Sequence, residues 1–403
     1  MDEEEKSLWK FLMKHRLQNL ALCAVLVGGS FFMAGPKASA EAPMLAHEAK
    51  SAVLMDATTG TVLFKKNEHA KLPIASVTKV ATMLLAMEAI ERGQVRMSDP
   101  IRTSDYAASM GGSQIFLQPG EVMTLRDMLK GIAIASANDA AVAVAEHIAG
   151  SEANFVQVMN KKAQELGLHD THFVNVNGLP IPNHYSSAYD LAVLSRELVK
   201  HSEITKFTGV YSDYLRNNTT RPFWLVNTNK LVRFYQGMDG IKTGFTAEAK
   251  YCLAASAKRN HFRVISVVLG EPTSKTRNGE VTEMMNYAFS HFDTKIVYDK
   301  GQVVTLVPVV RGQLQAVAVK AKFPVGILIS KMDQSSIGQT VTEVKPLIAP
   351  VKKGQVAGFV KVFHNGTLLT SVPVVTAVDV AKVSLWEMLG RSLRSMFLFG
   401  VKQ

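Results

Sequence analysis

Ser76-Val77-Thr78-Lys79 sets a hydroxyl and an amine three residues apart, a spacing that brings both side chains to one face of a helix. A serine becomes a nucleophile only when a base takes its proton. A lysine serves as that base only if burial and neighbouring positive charge lower its pKa. With the serine in a first helical turn, the helix dipole also favours a developing oxyanion. By itself the pattern discriminates little, because Ser7-Leu8-Trp9-Lys10 repeats it near the N-terminus.

Two further motifs follow in order. Ser136-Ala137-Asn138 is the only Ser-x-Asn in the chain, and Lys242-Thr243-Gly244 the only Lys-Thr-Gly. A second hydroxyl and an amide can relay a proton and hold a substrate carbonyl. On a strand edge, Lys-Thr-Gly offers a cation and a hydroxyl to a carboxylate, with a glycine that lets substrate come close. Each motif alone reads as turn chemistry or a solvated lysine; three together, on helix, interhelix break and strand, are poorly explained by chance.

The elements that must position them follow from patterning. Ser51–Met55 and Thr61–Phe64 read as strands around the turn at Asp56–Gly60. A helix starting near Ser76 carries Val77, Val80, Leu84, Met87 and Ile90 at core spacing. Thr124-Leu125-Arg126-Asp127 caps a helix running to about Ala135, a second runs from Ala140 to Ala149, and Ser136–Asp139 is the polar break between them. Tyr189–His201 and Glu280–Phe292 read as helices. Ile241–Thr246, Tyr251–Lys258 and Phe262–Gly270 read as strands, the last two joined through Lys258–His261. Early helices with late antiparallel strands predict an α+β domain over 41–298. Valine-rich runs broken by Gly, Pro and Asn predict a separate small β domain over 299–379, with strands at Val303–Val310, Leu314–Val319, Val341–Ile348 and Val356–Phe363.

Both ends read as targeting elements. Lys6, Lys10, Lys14 and Arg16 precede the apolar run Leu20–Ala34 and the small-residue site Ala38-Ser39-Ala40, which predicts an export signal over 1–40, the alternative, given the acidic start Asp2–Glu5, being an uncleaved anchor. From Val380 to Gln403 an amphipathic helix is expected. Leu385, Leu389, Leu393, Met396 and Phe397 lie on one side with Trp386, and Lys382, Arg391 and Arg394 lie largely opposite. That arrangement suits the surface of a membrane, the alternative being a helix packed on its own β domain.

The chain carries 45 basic and 34 acidic residues, a net +11; residues 1–40 hold five and four of them, so about +10 remains after removal of the signal. That excess suits anionic surroundings such as lipid headgroups or wall polymers. No basic run interleaved with aromatics appears, and nucleic acid is not an expected partner. Of the two cysteines, Cys23 leaves with the signal and Cys252 sits in an apolar stretch, which points to a buried thiol rather than a nucleophile. His169 and His172 have nothing nearby to complete a metal site, and neither metal nor cofactor is expected.

Ser-x-x-Lys, Ser-x-Asn and Lys-Thr-Gly in this order are the signature of penicillin-binding proteins and class A β-lactamases. From about Lys50 onward the chain resembles the low-molecular-mass penicillin-binding proteins of the serine D-alanyl-D-alanine carboxypeptidase group. Gly111-Gly112-Ser113 and Asp239–Thr246 support the likeness, and Trp224–Gly270 is similar to sporulation-type members. The resemblance implies a β-lactamase/transpeptidase-like fold. It also implies removal of the terminal D-alanine from peptidoglycan stem peptides through an acyl-enzyme, which β-lactam antibiotics also form. Carried over by motif, Ser76 would be the nucleophile, Lys79 the general base and Ser136 the proton relay. Asn138, Lys242, Thr243 and Gly244 would bind substrate, and the backbone amides of Ser76 and Phe245 would form the oxyanion hole.

Lys250 stands where relatives often carry glycine, which leaves the turn there open, and Arg277 is expected to be a solvated arginine, the alternative being a group that helps bind carboxylate. The nearest rival, a class A β-lactamase, needs a Glu-x-x-Leu-Asn loop that does not occur between Asn138 and Lys242. The other alternative is a catalytically silent penicillin-binding scaffold, which would have no need of a nucleophile and base together.

Overall fold

The computed structural model describes residues 44–217, 219–332, 336–384 and 386–387. The expected export signal and all but the first few residues of the expected C-terminal helix lie outside them.

Five antiparallel strands form the central sheet: β1 (Ser51–Asp56), β2 (Val62–Lys66), β3 (Met238–Thr246), β4 (Lys250–Arg259) and β5 (Phe262–Glu271), in the order β2-β1-β5-β4-β3. The strand carrying Lys-Thr-Gly is therefore an edge strand, with one side open to an incoming chain. Alternation along β4 feeds two cores. Cys252 and Ala254 join the helical cluster on one face, while Leu253, Ala255 and Ala257 pack with Val281, Met284 and Met285 on the other.

The helical face holds α1 (Lys79–Glu91), α2 (Leu125–Lys130), α3 (Asn138–Ala149), α4 (Glu152–Glu165) and α5 (Ala188–Val199); α6 (Ser274–His291) covers the opposite face. The core spacing read from Val77, Val80, Leu84 and Met87 holds, but α1 is not one-sided. Ten of its thirteen residues are buried, which makes it the central helix of the cluster rather than a surface one. Thr124 caps α2 as its sequence predicts, its hydroxyl accepting from the Asp127 amide. The helix then widens into a π-helical turn over Gly131–Ala135 and stops at Ser136, which is left-handed (φ 64°). The break is shorter than expected, because Asn138 and Asp139 already belong to α3. Helix α4 escaped the sequence reading. So did the start of α6 at Ser274, where Thr273 accepts from the Thr276 amide and caps the helix six residues earlier than expected.

Between α6 and Thr376 the described residues form only strands: β6 (Phe292–Tyr298), β7 (Val303–Val310), β8 (Ala316–Ala321), β9 (Val325–Ser330), β10 (Ser336–Ile337), β11 (Gln339–Val344), β12 (Leu347–Ile348), β13 (Val356–His364) and β14 (Thr367–Thr376). They form a three-stranded sheet, β6-β9-β10, and a six-stranded one, β11-β13-β14-β8-β7-β12. Val307, Val319, Val360, Val362 and Val374 are buried together between them. The expected strand Val341–Ile348 is two strands, since Pro346 cannot donate to a ladder and Leu347–Ile348 pairs instead, in parallel, with β7.

The expected helix does not start at Val380. Val380 pairs with Val351, Lys382 with Gly312, and the Val383 amide bonds Arg311 O, so this stretch is extended and stitched to the β strands. Among the described residues no helix is long and apolar enough to cross a membrane.

Candidate active site

Ser76 lies in a 3-10 turn, Ala75–Thr78, that leads directly into α1 at Lys79. With three residues per turn, positions i and i+3 eclipse, so the turn stacks Lys79 against Ser76 more directly than an α-helix would. The distance from Lys79 Nζ to Ser76 Oγ is 2.9 Å. Ala75 before it is left-handed (φ 47°), as is Ser136 across the site. Two non-glycine residues held in this sparsely populated region mark backbone strain stored around the nucleophile candidate.

Lys79 is wholly buried, and burial together with the positive charge of Lys242 holds its pKa well below the ordinary lysine value. Its nitrogen also donates to Asn138 Oδ1 and to the backbone carbonyl of Asn177, both at 2.6 Å. A neutral amine has two N–H bonds and one lone pair. In its neutral form Lys79 would have its two N–H bonds occupied by these acceptors and its lone pair facing the Ser76 hydroxyl.

Asn138 is fixed on both sides, its amide nitrogen donating to Gly111 O at 2.6 Å and its backbone amide to Ser113 O at 2.7 Å. The neighbouring Asp139 carboxylate accepts from the backbone amides of Ile115, Leu117 and Ala140. The segment Gly111–Leu117 is thereby laced to the start of α3. The Ser136 hydroxyl bonds no other described residue, which leaves it available to a ligand.

Lys242 is 1% exposed and its ammonium touches Thr243 O at 3.0 Å. Burial, and then the neighbouring Arg277 guanidinium, lower its pKa to about 7. Thr243 donates its hydroxyl to Thr228 at 2.7 Å. Gly244 is required sterically, since a Cβ there would stand 2.6 Å from Ile74 O. Phe245 is exposed and lies against the Tyr251 ring, centroids 4.4 Å apart. Lys250 adopts φ 55°, the left-handed conformation that glycine takes most readily, so the turn keeps its shape at some steric cost.

Arg277 is corrected by the structure. It is 5% exposed rather than solvated, and it adds positive charge behind Lys242. Cys252 is fully buried, and burial pushes its thiol up to about 11, far from a nucleophile's range.

Sequence reasoning missed the side of the site contributed by 174–184. His184 Nδ1 accepts from the Val174 amide at 3.1 Å, so its Nε2 carries the proton and donates to Thr78 Oγ1 at 2.7 Å; Thr78 in turn donates to Ala75 O. Burial holds this imidazole neutral, at about 4. Gly178 is pressed against the nucleophile's turn, where a Cβ would stand 1.9 Å from Ala75 O at φ +84°. The Asn177-Gly178 pair was the available signal, a dipeptide that favours left-handed backbone.

The arrangement thus joins a hydroxyl, a low-pKa amine, a free second hydroxyl and a cationic pocket on an open strand edge: the components of acyl transfer from a substrate with a terminal carboxylate. A family model described as D-alanyl-D-alanine carboxypeptidase matches residues 37–273, and one described as penicillin-binding protein 5, C-terminal domain, matches 292–382. The D-alanyl-D-alanine carboxypeptidase DacF of Bacillus subtilis (strain 168) is 51% identical over 350 residues, 87% of this chain and 90% of that protein. Penicillin-binding protein 5 from Haemophilus influenzae superposes with a TM-score of 0.63 at 32% identity, covering 84% of this chain and 99% of that one. The ampicillin-bound form of penicillin-binding protein D2 from Listeria monocytogenes superposes with a TM-score of 0.53 at 31% identity, over 61% of this chain and 99% of that one. The chain belongs to the D-alanyl-D-alanine carboxypeptidase family of serine peptidases, penicillin-binding hydrolases that act on peptidoglycan.

Proposed function

We propose that Ser76 is the residue acylated during D-alanine removal and that Lys79 is its general base. The hydrogen-bond geometry of Lys79 carries this reading, since only Ser76 faces its lone pair. Lys79 takes the Ser76 proton as Oγ adds to the carbonyl of the penultimate D-alanine. The backbone amides of Ser76 and Phe245 hold the oxyanion. The C–N bond then breaks, the proton returns by way of Ser136 to the leaving amine, and free D-alanine departs. Water cleaves the remaining ester and regenerates the Ser76 hydroxyl. Asn138 orients substrate and Lys79, while Lys242 and Thr243 bind the terminal carboxylate beside Gly244. Benzylpenicillin should place one acyl adduct on the Ser76 peptide in mass spectrometry; an adduct on another residue, or none on folded protein, contradicts the assignment.

The same reading divides the chain into a catalytic domain over 41–298 and a small β domain over 299–379. It takes residues 1–40 as an export signal and places the enzyme on the outer face of the cytoplasmic membrane, held by the segment after Ser384. The likeness over Trp224–Gly270 supports service in sporulation. Deleting the residues after Ser384 should release the protein from membranes with its activity intact, and unchanged sedimentation with membranes would count against anchoring.

A further inference from the structure

Beside Ser76 lies a cavity of about 430 Å3 that none of the steps above uses. One wall is Ala75, immediately before the nucleophile. Another is Thr246, immediately after Phe245, with Glu248 two residues further on. The third is the proline-rich loop carrying Pro180, Pro182 and Tyr185. Its volume is in the range of small-molecule sites.

Strand direction says which part of a substrate reaches it. Along β3 the carboxylate-binding pair Lys242 and Thr243 comes first, Phe245 of the oxyanion hole next and Thr246 last. From Lys242 to Thr246 is roughly 13 Å of extended chain. A stem peptide with its terminal carboxylate at Lys242 and its reacting carbonyl at Phe245 therefore continues past Thr246. The residue on the acyl side of the reacting D-alanine, the diamino acid, is then the one that enters the cavity.

The lining suits such a side chain. Prolines and aliphatic residues offer a surface to its methylenes. Glu248 is the only acidic residue in the wall, and no positively charged one lines it, His184 being neutral. Lys71, over the Tyr185 ring from outside, faces Asp170 at 3.9 Å. Glu248 is exposed and makes no ion pair among the described residues. In a chain of net charge +11, an unpaired carboxylate at the mouth of the substrate's path is a local reversal of sign.

We propose that this cavity is the subsite for the stem-peptide diamino acid, and that Glu248 selects a side chain ending in a free ammonium over one that is acylated or crosslinked. The inference rests on the carboxypeptidase reading and adds a preference for uncrosslinked stems.

The test compares kcat/KM for Nα-acetyl-Lys-D-Ala-D-Ala, with its side-chain amine free, against the Nα,Nε-diacetyl peptide, in the full-length enzyme. A partly exposed ion pair predicts a free-over-blocked ratio of about two- to fivefold at low salt, shrinking as salt rises. Glu248→Gln should bring the ratio to about one and Glu248→Lys below one, whereas Glu283→Gln, an exposed acid on α6, should leave it unchanged. A wild-type ratio of one at low salt overturns the inference without any variant, and so does a ratio that survives Glu248→Gln. Absence of D-alanine release from both peptides would overturn the underlying carboxypeptidase reading as well, whereas release at equal rates overturns the selectivity alone.

Discussion

Lys79 Nζ stands 2.9 Å from Ser76 Oγ while its other two partners, Asn138 Oδ1 and Asn177 O, are both pinned by backbone that cannot follow it. An amine so placed has one direction left for its lone pair. Arginine keeps the charge but cannot give up its proton in proteins. Lys79→Arg should therefore lower kcat/KM by about 10²–10⁴, the usual worth of a positioned base. Steady-state kinetics beside a circular-dichroism spectrum checks this, and retention of more than a tenth of the activity would remove Lys79 from the role.

The two buried lysines predict a bell-shaped pH profile. With Lys79 as the proposed base, activity needs it neutral, so kcat/KM rises with pH through its lowered pKa. With Lys242 as the proposed carboxylate-binding group, binding needs it protonated, and with its pKa at about 7 the profile of the free enzyme falls again above that pH. Lys242→Gln should lower kcat/KM and abolish the alkaline limb. Stability runs opposite to the alkaline limb. Between about 7 and the ordinary lysine value of 10.5 the unfolded chain binds the Lys242 proton more readily than the folded one, so stability rises with pH across that window, and as pH falls the loss is complete by about 7. Thermal melts of Lys242→Gln should show a shallower rise over this window than wild type.

Gly178 is the position at which one methyl group should do most damage. A Cβ 1.9 Å from Ala75 O forces either the turn holding Ser76 or the segment presenting Asn177 O to move. Gly178→Ala should cut penicillin acylation at least tenfold, because misplacing reacting atoms by an ångström costs about 10²-fold. Stopped-flow acylation rates read this directly.

Much of the site was legible because its chemistry is carried by side chains that are rare in their spacing. Ser76, Lys79, Ser136, Asn138, Lys242 and Thr243 could all be named from three motifs, and the strands of the central sheet from simple alternation. What the sequence hid was of another kind. Asn177 contributes a backbone carbonyl, for which side-chain identity carries no signal, and Arg277 looks like any surface arginine until α6 is packed against the sheet. Helix α4 has weak apolar content and was lost among polar residues, with only Phe155, Met159 and Ala163 buried. The extended stretch at Val380–Val383 depends on pairing with Val351 and Arg311 far away in sequence, which no local period reveals.

Asp139 offers a test of the segment facing the nucleophile. Its carboxylate gathers three backbone amides, two of them from Ile115 and Leu117, and deleting it would leave those donors buried without partners. Asp139→Ala should destabilise the protein by about 2–6 kcal/mol, at about 1–3 kcal/mol for each of the Ile115 and Leu117 amides left unsatisfied. A denaturant midpoint within experimental error of wild type would show that Gly111–Leu117 is held by something else.

Release of free D-alanine from diacetyl-Lys-D-Ala-D-Ala by the wild-type enzyme and by Ser76→Ala is the decisive comparison. Steady release by the wild type and none by Ser76→Ala is the predicted result. Equal release by both proteins would contradict catalysis through a Ser76 acyl-enzyme, and no release by either, from protein that still binds penicillin covalently, would contradict the carboxypeptidase reaction itself.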